Sequence, residues 1–275
     1  MKHSIEAKLL FIVPQATKPY FESSALTGTV PKVHFETEYK SVPINDIRNK
    51  LSKDKYVLDI NGFEFYNFSS NMKDFYDHDE VLRVYENELR DFFINIYSAK
   101  EVHVFDYTRR SDNEIGANNP DGLRKPADRV HSDYTDLSGP QRAKDVLGEK
   151  RYNDIIKSGG RIIQLNVWKP INGPVKRSPI AFADAASITK SDLIATDQIF
   201  PDRTGEIYHI VYSDKHSWCW VSEMTDDEIL LLKGWDSLDD GRVVKYTPHG
   251  AFELPGQLKT DPPRESIEAR IFIVL

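Results

Sequence analysis

Only one cysteine, Cys219, occurs in a chain of 275 residues, so no internal disulfide can form and no cysteine-rich zinc site can be assembled. A reducing compartment fits that count. Long hydrophobic runs are missing too: the apolar stretch near the N-terminus, LLFIV, is closed by Pro14 and suits a buried strand better than a secretory segment or a membrane span. There is no excess of positive charge. Lys and Arg number 36 against 43 Asp and Glu, for a net charge of -7, and the basic residues are scattered. That removes the electrostatic footprint of a nucleic-acid binder. Neither a repeat of 20 to 50 residues nor a low-complexity segment is visible. The expectation is a cytoplasmic protein with no nucleic-acid or membrane partner, with a homodimer left open.

What is present is a dense series of β-prone runs. The chain is long enough for one large core, read as a single domain over 1–275. A first strand spans about 7 to 13, and the alternation in VHFETEY predicts a second. YVLDI and FEFYNF flank Asn61-Gly62, which predicts a type I′ hairpin. Val81, Tyr85, Leu89, Phe92 and Ile96 recur at helical spacing and predict an amphipathic helix over 79–98, packed outside the sheet. EVHVFDYTRR reads as a strand. After a loop rich in Asn, Gly and Pro, the segment 138–160 reads as helical with a break at Gly148. RIIQLNVWKPI, PIAFADAASI, EIYHIVY, HSWCWV, EILLLKGW, RVVKYT and ESIEARIFIVL follow as strands. Thr225 and Glu228 also form a capping-box pattern, but the continuous run ILLL favours a turn and then a strand. The whole predicts a mainly β barrel-like double sheet with peripheral α-helices. Its N-terminal strands, hairpin and helix occupy 1–100, and the core occupies 101–275.

Two His-bearing segments carry the chemistry. His131 and Asp133 stand two residues apart, and on a strand such positions share a face, so both could ligate one cation. With 8 His and 43 acidic residues such triplets arise by chance, and His78-Asp79-Glu80 is another. That second triplet sits at a helix start, where its acids suit the N-terminal dipole. His249, His209 and His216 compete as a third ligand. His249 would complete a 2-His-1-carboxylate triad with open positions for cosubstrate and O2. His209, in an alternating strand, also reads as a core histidine, and His216 as a substrate contact or a turn residue. Arg264 and Ser266 also share a face. A guanidinium fork beside a hydroxyl suits the far carboxylate of 2-oxoglutarate if their strand lies next to that of His249. A surface salt bridge to Glu265 or Glu268 is the plain alternative. Gln164, Asn166 and Trp168 alternate onto one strand face, as cosubstrate amides and a pocket wall or as core packing. Tyr107 and Tyr134 are candidates for the cavity lining.

Four blocks taken together resemble a known family. RVHSDYT, NVWKPINGPV with PIAFADAAS, HSWCWVSEMTDDEILLLKGWDS, and PHGAFELP with PRESIEAR are similar, in this order, to the non-haem iron and 2-oxoglutarate-dependent oxygenases of secondary metabolism. That family includes gibberellin desaturase, the cephamycin methoxylation protein and a fungal meroterpenoid endoperoxidase. The resemblance runs from about residue 100 to the C-terminus and implies a double-stranded β-helix, or jelly roll. It implies Fe(II) held by His131, Asp133 and His249, and 2-oxoglutarate held by Arg264 and Ser266. The implied reaction consumes O2, releases succinate and CO2, and hydroxylates, desaturates or endoperoxidises a small natural product. The chain departs from the usual wording with KP after NVW and WCW after His-Ser, and Cys219 at an aromatic position puts the substrate in doubt. Two rivals stay open: a metal enzyme of the same fold that does not use 2-oxoglutarate, and a metal-free jelly-roll module that only binds a small molecule.

Overall fold

The strand Ile162–Pro170 is buried along its whole length, as only a strand covered on both faces can be. Ile163, Leu165 and Val167 face one way and pack with Val81, Tyr85, Leu89 and Phe93 of the helix predicted from periodicity. Gln164, Asn166 and Trp168 face the other way, into the space between two sheets. The computed structural model describes residues 4–28, 30–51 and 56–275. Ile162–Pro170 is the middle of an antiparallel five-stranded sheet in the order Phe63–Asn67, Glu228–Asp236, Ile162–Pro170, Glu265–Val274, Glu101–Ser111. Facing it is a ten-stranded sheet in which Trp218–Trp220, Ile180–Ala183, His249–Ala251, His131–Ser132 and Thr204–Ile210 are successive neighbours. Side chains from both sheets interdigitate: Phe272 and Trp235 meet Leu9, Phe11 and Trp218 in one cluster, and Trp168 and Leu230 meet Phe182 and Cys219 in another. This is the expected double-stranded β-helix, mainly β with helices outside.

The helix over 78–97 is capped by Asp77, whose side chain accepts from the backbone N–H groups of Asp79 and Glu80. It passes through a π turn at Val81–Tyr85 and ends at Ser98 in the left-handed region. Ser138–Leu147 and Glu149–Lys157 are separated by Gly148, as expected, and bury Ala143 and Ile155 in the core. The first strand is Ser4–Ile12 and 228–236 is a strand rather than a helix, whereas the run VHFETEY is divided between Lys32–Val33 and Thr37–Asp46.

Two expectations fail. There is no hairpin at Asn61-Gly62. The Val57 carbonyl accepts from Ile60 and Asn61 in a helical turn, the Asn61 Oδ1 accepts from the Val57 N–H, and Phe63–Asn67 pairs with Glu228–Asp236 instead. The Asn61 side chain is thus spent on closing a local turn, and only Gly62 adopts positive φ, at +81°. RVVKYT is not a strand either. Its backbone bonds singly, Val244 N–H to Asp59 and Thr247 N–H to Lys233, and the segment delivers His249 to its strand.

Candidate metal centre

Three short strands set the site. His249 is opposite His131 in register, and His131 is opposite His209, so three imidazoles lie in a row across the sheet. Asp133 follows immediately after the strand His131–Ser132. The ligating atoms of His131, Asp133 and His249 lie within 4.8 Å of one another. The two rings are 4.6 Å apart, and His131 Nε2 is 3.4 Å from Asp133 Oδ1.

Each imidazole is oriented by a backbone carbonyl, which can only accept. His131 Nδ1–H donates to Arg129 O at 2.8 Å, and His249 Nδ1–H donates to Thr247 O at 2.9 Å. Both Nε2 atoms are therefore left with lone pairs turned toward Asp133. Burial, and then the neighbouring His131, lower the pKa of His249 and favour its neutral form. Asp133 is held from behind, its Oδ2 accepting from Arg270 Nε at 2.7 Å and from Asn166 Nδ2 at 2.8 Å. Burial would raise this carboxyl. The Arg270 guanidinium, helped by His131 and His249, outweighs that and keeps it well below the usual carboxylate range. Two imidazoles held through Nδ1 and one free carboxylate oxygen on one face are the donor set that suits Fe(II).

Thr247 is itself positioned, because its hydroxyl donates to Gly62 O at 2.5 Å. A Cβ on Gly62 would stand 2.3 Å from that hydroxyl oxygen, at a φ of +81° that disfavours any side chain. Gly62→Ala is expected to cost about 1–3 kcal/mol of stability, read as a lower urea midpoint at unchanged slope. A midpoint equal to wild type would show that Thr247 yields freely.

A cavity of about 20 Å³ beside the two ligand imidazoles is lined by Arg110, Trp168, Arg264 and Glu268 among others. Arg264 is 3% exposed, and its Nη1 donates to Ser178 O at 2.7 Å. Its Nε has no hydrogen-bond partner among the described residues, and the guanidinium carbon lies 5.6 Å from the centre of the Trp168 ring. Burial, and then the nearby Arg110, lower its pKa to about 9. Asp112 fixes the segment, accepting from the Arg264 backbone N–H at 2.7 Å and from Ser178 Oγ at 2.9 Å. Ser266 is two residues along the same face and buried. The strand of Arg264 and Ser266 is not the neighbour of the His249 strand, contrary to expectation. The two belong to different sheets and meet across the barrel. A much larger cavity, about 1870 Å³ and open to solvent, also borders His131 and includes Asp133, Tyr134, Arg129 and Arg270 in its wall.

Several candidates sit elsewhere or do something else. Asn166 is turned to Asp133, and Gln164 Nε2 donates to Asn166 Oδ1 at 2.9 Å, so the two amides form a relay behind the carboxylate. Tyr107 lines the large cavity, and its hydroxyl donates to Glu86 at 3.1 Å. His216 is 3.2 Å from Asp192 and packs on Trp218, away from both cavities. Tyr134 does line the large cavity and Trp168 the small one. Sequence reasoning missed Arg270. The signal was available, since Arg264, Ser266, Glu268 and Arg270 alternate along one strand, and a charge at the buried end of that series needs a partner.

Among the described residues no helix is long and apolar enough to cross a membrane. A family model described as an oxidoreductase/YMDC permease-like domain matches residues 9–274. The hydroxylase/desaturase efuI of Hormonema carpetanum is 31% identical over 268 residues, covering 90% of this chain and 87% of the relative. The alpha-ketoglutarate-dependent dioxygenase phiK of a fungal species (strain ATCC 74256) is 28% identical over the full length of both chains. Among solved structures, the iron and alpha-ketoglutarate-dependent endoperoxidase NvfI superposes with a TM-score of 0.84 at 23% identity, covering 99% of this chain and 98% of that one, which speaks for the fold. The chain belongs to the oxidoreductase family of Fe(II)- and 2-oxoglutarate-dependent hydroxylases and desaturases, enzymes whose cofactor set is Fe(II), 2-oxoglutarate and O2.

Proposed function

We propose that this enzyme hydroxylates or desaturates a C–H bond of a small natural product, with His131, Asp133 and His249 holding Fe(II) and Arg264 with Ser266 gripping the far carboxylate of 2-oxoglutarate. Bound there, the iron with its cosubstrate and O2 supplies the oxidising chemistry and leaves succinate and CO2. The protein residues orient and exclude. Backbone carbonyls fix both imidazoles, Arg270 and Asn166 fix one carboxylate oxygen so that the other is free, and Trp168 walls the cosubstrate side. The observation that carries the reading is Arg264, a buried guanidinium with an unpartnered Nε in a polar pocket that two ligand imidazoles also border. A buried donor without an acceptor is costly, and a carboxylate arriving with the cosubstrate removes that cost. The same reading makes the chain one oxygenase domain of the cytoplasm, without a nucleic-acid or membrane partner, and the net charge of -7 supports the first exclusion.

Arg264→Ala tests it. Loss of a buried charge-assisted pair, about 2–3 kcal/mol, is expected to raise the 2-oxoglutarate demand for succinate formation roughly 30- to 150-fold with iron content retained. An unchanged demand would favour a metal enzyme of this fold that does not use 2-oxoglutarate. No stoichiometric iron in the wild-type protein after anaerobic reconstitution would favour a binding module.

A further inference from the structure

The row of imidazoles continues past His131 to His209, and there the wall of the large cavity changes character. His209 is 2% exposed, and its Nδ1 makes no hydrogen bond among the described residues. Its ring meets Phe21 edge-on at 5.7 Å and Phe35 at 4.9 Å. The same two phenyl rings carry the guanidinium of Arg129, 5.4 Å from the centre of Phe21 and 5.9 Å from that of Phe35. No hydrogen bond or ion pair holds the Arg129 guanidinium among the described residues, although its own carbonyl orients His131. All four side chains line the large cavity, as do His131 and Asp133.

A buried imidazole nitrogen without a partner is expensive for packing alone, and beside it the half-buried Arg129 guanidinium, held only by two phenyl faces, is turned to the same cavity. The pairing matches a ligand subsite, where a few convergent polar groups fix orientation on an apolar surface. The guanidinium fork fits a carboxylate through two parallel N–H bonds, and the His209 ring nitrogen can donate to the same group. We infer that Arg129 and His209, walled by Phe21 and Phe35, bind a carboxylate of the organic substrate and lay its hydrocarbon skeleton along the cavity toward His131 and Asp133. The substrate class is therefore a hydrophobic carboxylic acid. This deepens the oxygenase reading, since the subsite then selects which C–H bond faces the metal, but binding at Arg129 does not itself require iron. Arg264 is a separate anchor on the small pocket, so the two carboxylates do not compete.

The test is calorimetric. Protein loaded anaerobically with Fe(II) and saturating 2-oxoglutarate, which fills the Arg264 pocket, is titrated with matched pairs of bicyclic and tricyclic carboxylic acids and their methyl esters. At least one acid is expected to bind 10- to 100-fold more tightly than its ester, roughly the range for a charge-assisted fork. Arg129→Gln is expected to erase that preference, Arg129→Lys to restore part of it, and His209→Ala to weaken the acid alone. The idea is overturned if every acid and its ester bind alike, absence of binding included, or if Arg129→Gln keeps the acid preference. Because the acid–ester comparison is made on wild type, it stands even if a variant does not fold. Repeating the titration on metal-free protein separates the two readings. Acid preference in a protein that takes up neither iron nor 2-oxoglutarate keeps the subsite and sinks the oxygenase site, and the reverse pattern does the opposite.

Discussion

Asp133→Asn is expected to lower Fe(II) affinity by at least roughly 100-fold and to abolish succinate formation, because an amide cannot serve both sides of this position. In the native arrangement Oδ2 accepts from Arg270 and Asn166 while Oδ1 is left for the metal. If the asparagine oxygen replaces Oδ2, an NH2 group points at the two imidazole lone pairs and cannot ligate. If the oxygen turns to the metal, the NH2 meets a guanidinium and another amide donor. Either way one buried partner is lost, and breaking a buried ion pair costs about 3–5 kcal/mol. Arg270 keeps Glu268 and Asp106 as partners, so the stability loss belongs at the lower end. Anaerobic iron titration and urea unfolding measure the two effects separately. Wild-type iron affinity in this variant would remove Asp133 from the metal site.

The readable part of this site was the part that depends on local periodicity. His131 and Asp133 are two residues apart, and Arg264 and Ser266 share a strand face, so alternation alone paired each set. The approach of His249 to His131 is a register between strands more than a hundred residues apart, which no local pattern encodes. His249 was therefore chosen over His209 and His216 from the order of the segments and the family resemblance rather than from any local pattern. His209 occupies the same row and differs only in the direction of its ring, toward Phe21 and Phe35. Asn61-Gly62 misled because the side chain of Asn61 found a local acceptor role that outweighed its tolerance of positive φ. The amides Gln164 and Asn166 were placed on the inner face, where Asn166 donates to the ligand carboxylate and Gln164 donates to Asn166.

Arg270 offers the sharpest division between charge and geometry. One guanidinium answers three carboxylates: Nε donates to Asp133 at 2.7 Å, Nη1 to Asp106 at 2.5 Å, and Nη2 reaches Glu268 at 2.6 Å. Burial would lower its pKa, but Asp133, Glu268 and Asp106 raise it well above the ordinary arginine value, so it stays charged. Arg270→Leu leaves that cluster with no cation among these groups. It is expected to cost about 3–5 kcal/mol in urea unfolding, the range for stripping one partner from a buried pair. Arg270→Lys keeps the charge and loses the fork, since a single ammonium cannot meet three directions at once. Most of the stability is therefore expected to survive in the lysine variant, while Fe(II) affinity still falls roughly 10- to 100-fold, the usual effect of releasing a ligand from its orienting partner. Equal iron affinity in the lysine variant and wild type would mean that charge alone prepares Asp133. Equal stability of the leucine variant and wild type would mean that the carboxylates are relieved by solvent from the large cavity, whose wall includes Asp106, Asp133 and Arg270 itself.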